Sequence, residues 1–190
     1  IEYVDLCKKG NVDLNHLKSL LSRSVPTLVS LMHANNETGA IQPIEEIVAI
    51  ASKYGAQVHA DAIQALGKIP INFRDSGLSM MSISAHKIGG PSGVGALVVA
   101  DGIKLKPFLV GGGQEKGRRS GTENIVGIVG FGAAAEVLLN NASEPDEVCR
   151  LRDLFEQKLL DYLPDLQILS VNAPRLGNTS AVVMAGVSAE

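Results

Sequence analysis

Apolar positions along this chain recur with two spacings, and where each holds decides the element it predicts. In "PIEEIVAIASKYG", Ile44, Ile47, Val48, Ala51 and Tyr54 fall at helical intervals. Pro43 at the start and Gly55 as a left-handed stop complete an amphipathic helix. "DLNHLKSLLS" predicts a shorter helix, with Asp13 as its N-cap because an Asp side chain accepts from unpaired first-turn amides. "TLVSLMH" is β-branched and apolar throughout, as a strand covered on both faces would be. "IEYVDL", "AQVHAD", "LSMMSIS" and "VGALVVA" also read as strands, and "AIQALG" as a turn of helix. Strands alternating with helices predict parallel pairing through right-handed crossovers.

From Thr122 a helix is expected through "ENIVGIVGFGAAAEVLL", its three glycines permitting close packing. After a break at "NNASEPDE", Ser143 caps a further helix with Asp146 three residues on. Val148, Leu151, Phe155, Leu159 and Tyr162 form its apolar stripe as far as Pro164, and "LQILSV" and "TSAVVM" follow as strands. A domain boundary is expected near residue 141, giving units 1–141 and 142–190, the second incomplete. The chain opens without Met on a strand-like run and stops in mid-pattern, which predicts a piece of something longer.

Composition narrows the function classes. With 190 residues, 45% hydrophobic and 19% charged, the chain can bury a core and is no disordered polymer. Net charge is -3, and no basic stretch is interleaved with aromatics, so nucleic acid is not an expected partner. Cys7 and Cys149 stand far apart without a CxxC, which fits a reducing, cytoplasmic setting. No apolar run approaches the roughly 20 residues of a membrane helix, so a soluble protein is expected.

In an open parallel sheet the ligand crevice lies beyond the carboxyl ends of the strands. Those ends are "HANNETG", "HADAIQ" and "SAHK", which should crowd Asn35, Asn36, Glu37, Asp61, Gln64, Ser84, His86 and Lys87 along one edge. Ser84 and His86, two apart on a strand, should share a face, as should Asp61 and Gln64, three apart on a helical turn. A desolvated lysine can lose its proton and attack a carbonyl, and pyridoxal phosphate needs such a lysine, a carboxylate for its ring nitrogen and donors for its phosphate. Taken singly each residue has a plainer reading. Lys87 is then a solvated lysine, Asp61 a helix cap, and His33, His59 and His86 satisfied structural histidines. "GGGQEKGRRSGTEN" sets Gly111, Gly112, Gly113, Arg118, Arg119 and Thr122 before a helix N-terminus, either an anion site or a flexible loop. It does not match GxxxxGK[ST] or GxGxxG, and neither does "GGPSGVG".

Together "HANNETG", "HADAIQALGK", "SAHKIGGPSGVGAL" and "GGGQEKGRRSGTEN", in that order, resemble the core of the NifS/IscS-type cysteine desulfurases. These are class V pyridoxal-phosphate enzymes that include selenocysteine lyase. The resemblance covers nearly the whole chain and implies an α/β fold. That fold is the fold-type I, aspartate aminotransferase-like large domain, a mostly parallel sheet between helices, plus the start of a small α+β domain. By match with the family motifs, Lys87 carries pyridoxal 5'-phosphate and Asp61 pairs with its ring nitrogen. Gln64 contacts the ring hydroxyl, Ser84 and His86 bind the phosphate, and Asn36 lies against the cofactor. Lys87 and His86 are the implied catalytic pair. Thr122 would reach the phosphate of a neighbouring subunit, which implies a homodimer.

The implied reaction releases sulfur from L-cysteine, leaving L-alanine and an enzyme persulfide for iron–sulfur cluster assembly or other sulfur transfer to an acceptor or scaffold protein. The mobile-loop cysteine, a ring-stacking residue and the arginine for the substrate carboxylate are not among these residues. Cys7 and Cys149 are poor substitutes, since a reactive thiolate needs an electropositive setting and Cys149 falls on the polar face of its helix. Selenocysteine lyase shares every motif. A non-catalytic cofactor-binding scaffold and a metal hydrolase using His33, Glu37, His59, Asp61 and His86 are the remaining alternatives, the last without a recognised ligand spacing.

Overall fold

A four-stranded sheet carries the first unit in the computed structural model, which describes residues 1–23, 28–140 and 145–188. Its strands are β1 (Leu28–Met32), β2 (Gln57–Asp61), β3 (Met80–Ser84) and β4 (Gly95–Val99), side by side in that order. β1, β2 and β3 run parallel, with Met32 beside Asp61 and Asp61 beside Ser82. β4 reverses direction, pairing Ser82 with Leu97 and Ser84 with Gly95, so the sheet is mostly parallel, as expected, with one antiparallel edge strand. The reason is reach. A parallel return needs a crossover of a dozen residues or more, whereas only the short glycine-rich segment 85–94 joins β3 to β4.

Helix α2 (Ile44–Lys53) crosses from β1 to β2 as predicted, and Gly55 at φ 68 takes the left-handed turn after it. Helix α1 (Leu14–Arg23) begins where Asp13 Oδ1 accepts from the amides of Asn15 (2.8 Å) and His16 (3.1 Å). Both helices cover one face of the sheet. Leu17, Ile44, Ile47, Ile50 and Ala51 meet Val58, Ala60 and Met81 there, with Val29, Leu31, Ile83 and Val98 packed around them. Alternation sends Ser30, His59, Asp61 and Ser82 to the other face. β1 is therefore covered on one side rather than two, and Leu28 and Leu97 stand about half exposed. The expected N-terminal strand is also reduced: "IEYVDL" makes a single bridge, Leu6 with Val12, and leaves Ile1 and Tyr3 in solvent.

Helix α3 (Ile125–Asn140) starts three residues later than predicted, because Asn124 rather than Thr122 caps it, its Oδ1 accepting from the Gly127 amide at 3.1 Å. Two of its three glycines permit the predicted close packing. A Cβ at Gly130 would stand 2.5 Å from Pro91 and one at Gly127 3.2 Å from Val94, whereas Gly132 faces open space.

Residues 141–144, with the expected boundary and the Ser143 cap, lie outside the described residues, as does the Asp146 side chain. Helix α4 (Pro145–Tyr162) reverses the expected orientation. Val148, Leu151, Phe155 and Tyr162 are exposed, and Glu156 is buried instead. The Arg175 guanidinium donates to both Glu156 oxygens at 2.7 and 2.8 Å, Arg152 donates to the Leu176 carbonyl at 2.9 Å, and Cys149 backs onto Gly177. The face read from sequence as solvent-facing is thus the one turned inward. The two expected strands shrink to β5 (Gln167–Ile168) and β6 (Val182–Val183), an antiparallel pair. Between them the chain returns to the first unit. The Ile41 amide donates to Pro174, the Leu176 amide to Gly39, and the Leu176 side chain enters the main core at 1% exposure.

Candidate active site

The carboxyl ends of β1, β2 and β3 are tied together by backbone before any side chain contributes. The His33 amide donates to the Asp61 carbonyl (2.8 Å) and the Ala62 amide to the Ser82 carbonyl (2.9 Å). After β1 the Asn35 carboxamide oxygen accepts from the Glu37 and Thr38 amides, both at 2.9 Å, which folds the turn and leaves Asn36 exposed at its crest. After β2, Asp61 Oδ1 accepts from the Ile63 amide at 3.0 Å, the capping role that the plainer reading allowed it. Its second oxygen has no hydrogen bond among the described residues and is open to a ligand.

Gln64 lies on the turn after Asp61, but its side chain bonds along the chain to Lys68, whose Nζ stands 2.8 Å from Gln64 Oε1 and 2.9 Å from the Gln64 carbonyl. After β3 the chain enters a short 3-10 turn, Ala85–Ile88, closed by Gly89 at φ 81. His86 therefore does not share a strand with Ser84, as expected, yet the turn brings Ser84 Oγ and His86 Nδ1 to 2.8 Å. Lys87 is exposed rather than desolvated. The amine whose proton affinity is depressed is that of Lys68, through burial first and the nearby charge of Lys87 second. That influence brings Gln64, Lys68 and Lys87 into one electrostatic neighbourhood.

Six of the seven predicted site residues thus stand on consecutive strand ends. Thr122 is exposed ahead of α3, and among the described residues no hydrogen bond joins it to the other six. Of the two readings left open for this segment, anion site or flexible loop, neither is decided: Asn124 takes a first-turn amide and the preceding loop bonds to itself. Ser120 Oγ donates to Gly112 (2.7 Å), Gln114 accepts from Gly121 (3.2 Å) and Arg119 donates to the Gly121 carbonyl (2.7 Å).

Of the histidines, His59 is satisfied, with Ser30 Oγ 2.9 Å from Nδ1 and Ser82 Oγ 2.8 Å from Nε2. His33 is not, because its buried Nδ1 has no hydrogen-bond partner among the described residues and burial lowers the proton affinity of the ring. It lines a cavity of about 450 Å³ with Gln42, Ile44, Asn72, Asp75 and Leu78, a lining that includes none of the seven predicted site residues. Among the described residues no three metal-ligating side chains converge. Sequence reasoning missed Lys68 and the line Ser30, His59, Ser82. Serines at equal parity with a histidine in otherwise apolar strands were the signal for the second.

The sequence pattern of the aminotransferase class-V family matches residues 1–190. The chain belongs to that family. A cysteine desulfurase of Nostoc sp. strain PCC 7120, a relative within this class-V group, is 45% identical over 183 residues, 96% of this chain and 46% of that protein. A NifS-like protein of Rickettsia africae superposes with a TM-score of 0.94 at 42% identity, over 98% of this chain and 52% of that one. SspA, solved in complex with cysteine, superposes at 0.76 with 32% identity, over 95% of this chain and 50% of that one. The chain spans about half the length of the curated relatives it matches.

Proposed function

We propose that the whole protein is a pyridoxal-phosphate-dependent cysteine desulfurase, to which this chain contributes residues 1–141 of the cofactor-holding domain and the start, 142–190, of a small one. One observation carries the reading. Asp61, with an unengaged carboxylate oxygen, and the Ser84–His86 pair stand on adjacent strand ends, with the Lys87 amine in the turn that follows. This donor set fits the cofactor. Asp61 would hold the ring nitrogen, Gln64 the ring hydroxyl, and Asn36 would lie against the ring. Ser84 and His86 would hold the phosphate, together with Thr122 contributed across a homodimer. Bound pyridoxal phosphate would supply an electron sink for charge developing at the α-carbon of L-cysteine. Lys87 would hold the cofactor, and its amine, exposed in the turn after Ser84, is the base placed to take the α-proton. His86, beside it, assists in proton handling. The sulfur would pass to a cysteine thiol as a persulfide, then to a cytoplasmic acceptor protein serving iron–sulfur assembly or another transfer.

Borohydride reduction of the full-length protein with pyridoxal phosphate should leave a pyridoxyl group on Lys87 by peptide mass, and Lys87→Ala should abolish alanine formation from L-cysteine. An unmodified Lys87, or turnover in the variant, overturns the reading.

A further inference from the structure

The line Ser30, His59, Ser82 crosses β1, β2 and β3 on the face that carries Asp61. Ser82 is the in-register neighbour of Asp61. Adjacent strands run about 4.8 Å apart, so a serine hydroxyl beside a carboxylate on the same face can ordinarily reach it by rotating about χ1. Here it does not. The Ser82 hydroxyl oxygen stands 2.8 Å from His59 Nε2, and the ring is fixed from its other side by Ser30 Oγ at 2.9 Å from Nδ1. Whichever ring nitrogen bears the proton, both serines can complement it, since a hydroxyl donates and accepts. The Asp61 oxygen not used by the Ile63 amide consequently stays without a protein donor among the described residues.

We propose that His59 is a positioning residue that keeps Asp61 available to the cofactor by holding the Ser82 hydroxyl away from its carboxylate. The inference rests on the reading of Asp61 given above. Without the imidazole, Ser82 rotates to donate to Asp61, and a hydrogen bond to a charged acceptor both occupies the oxygen and weakens its hold on a ring N–H. Serine at position 82 then competes with the ligand that Asp61 serves.

The test measures the dissociation constant of pyridoxal phosphate from the full-length apoprotein by cofactor fluorescence, with a thermal melt of each variant. Asp61→Asn should weaken binding most. His59→Leu should weaken it about tenfold, the size of one competing charge-assisted hydrogen bond. Ser82→Ala should bind as the parent does, and His59→Leu with Ser82→Ala should recover to within about twofold of the parent. A merely structural role for His59 predicts that affinity follows the melting temperature across the variants, whereas competition at Asp61 moves affinity at a melting temperature that does not account for it. Should His59→Leu fail to fold, His59→Phe repeats the cycle with a ring retained. Binding in His59→Leu equal to the parent, or a double variant no tighter than His59→Leu, overturns the proposal while Asp61→Asn still shows its loss. Parent-like binding in Asp61→Asn overturns the reading of Asp61 and this inference with it.

Discussion

The layer beneath the sheet and the packing of α4 solve the same problem by different chemistry. Under the sheet, Ile47 and Val58 are buried without a polar atom between them, and stability comes from apolar area removed from water. Against α4, the buried contact is a guanidinium on a carboxylate, 5% and 8% exposed, while the apolar stripe of the same helix faces outward. A hydrophobic layer degrades gradually as methylenes are lost. A buried ion pair fails at once, because removing one partner strands the other charge away from water.

Arg175→Ala gives the largest contrast. It leaves Glu156 with only the more distant charge of Arg152 and should cost about 3–5 kcal/mol by denaturant unfolding, with Glu156→Leu added to Arg175→Met costing less than Arg175→Ala alone. A double variant as unstable as Arg175→Ala would mean that the pair holds α4 by shape rather than charge. Ile47→Ala should cost about 2–5 kcal/mol through lost transfer energy and the cavity left behind. A loss under about 1 kcal/mol would show a layer loose enough to collapse around the gap.

Acid should separate the two regions by pH window. Burial lowers the proton affinity of His33, so the unfolded chain takes that proton first, and stability drains as pH falls below the ordinary imidazole value near 6.5 until the lower folded value is passed. The bonds from Arg175 lower the Glu156 pKa, so its contribution is complete above the ordinary carboxylate range and is lost only as pH falls through the lower folded value. Thermal melts across pH should therefore show two slopes. His33→Gln flattens the upper one and Glu156→Gln the lower, and a single slope unaffected by His33→Gln would sink the assignment.

Legibility in the sequence followed the same divide. α2 could be read because its apolar period, its opening proline and its closing glycine agree, and α1 because Asp13 sits where a cap belongs. The strand-end residues followed from position alone, and Asp61, Ser84, His86 and Lys87 stand at consecutive carboxyl ends as that rule requires. What failed was whatever depended on partners distant in sequence. α4 was misread because Glu156 looks solvent-facing until Arg175, nineteen residues on, is seen to reach it. The direction of β4 was not assigned because periodicity carries none, although the shortness of 85–94 implied an antiparallel return. Lys87 was expected to be desolvated, but the part-buried amine with lowered proton affinity is that of Lys68, the last residue of "HADAIQALGK", to which no role was given.

The return of residues 174–176 to the turn after β1 joins two parts of the chain far separated in order. The strand-end turn that presents Asn36 is clamped from behind by the Pro174 carbonyl and the Leu176 amide. The crest at Asn36 is thus secured twice over, from within by the Asn35 carboxamide and from behind by a segment more than 130 residues away in the chain.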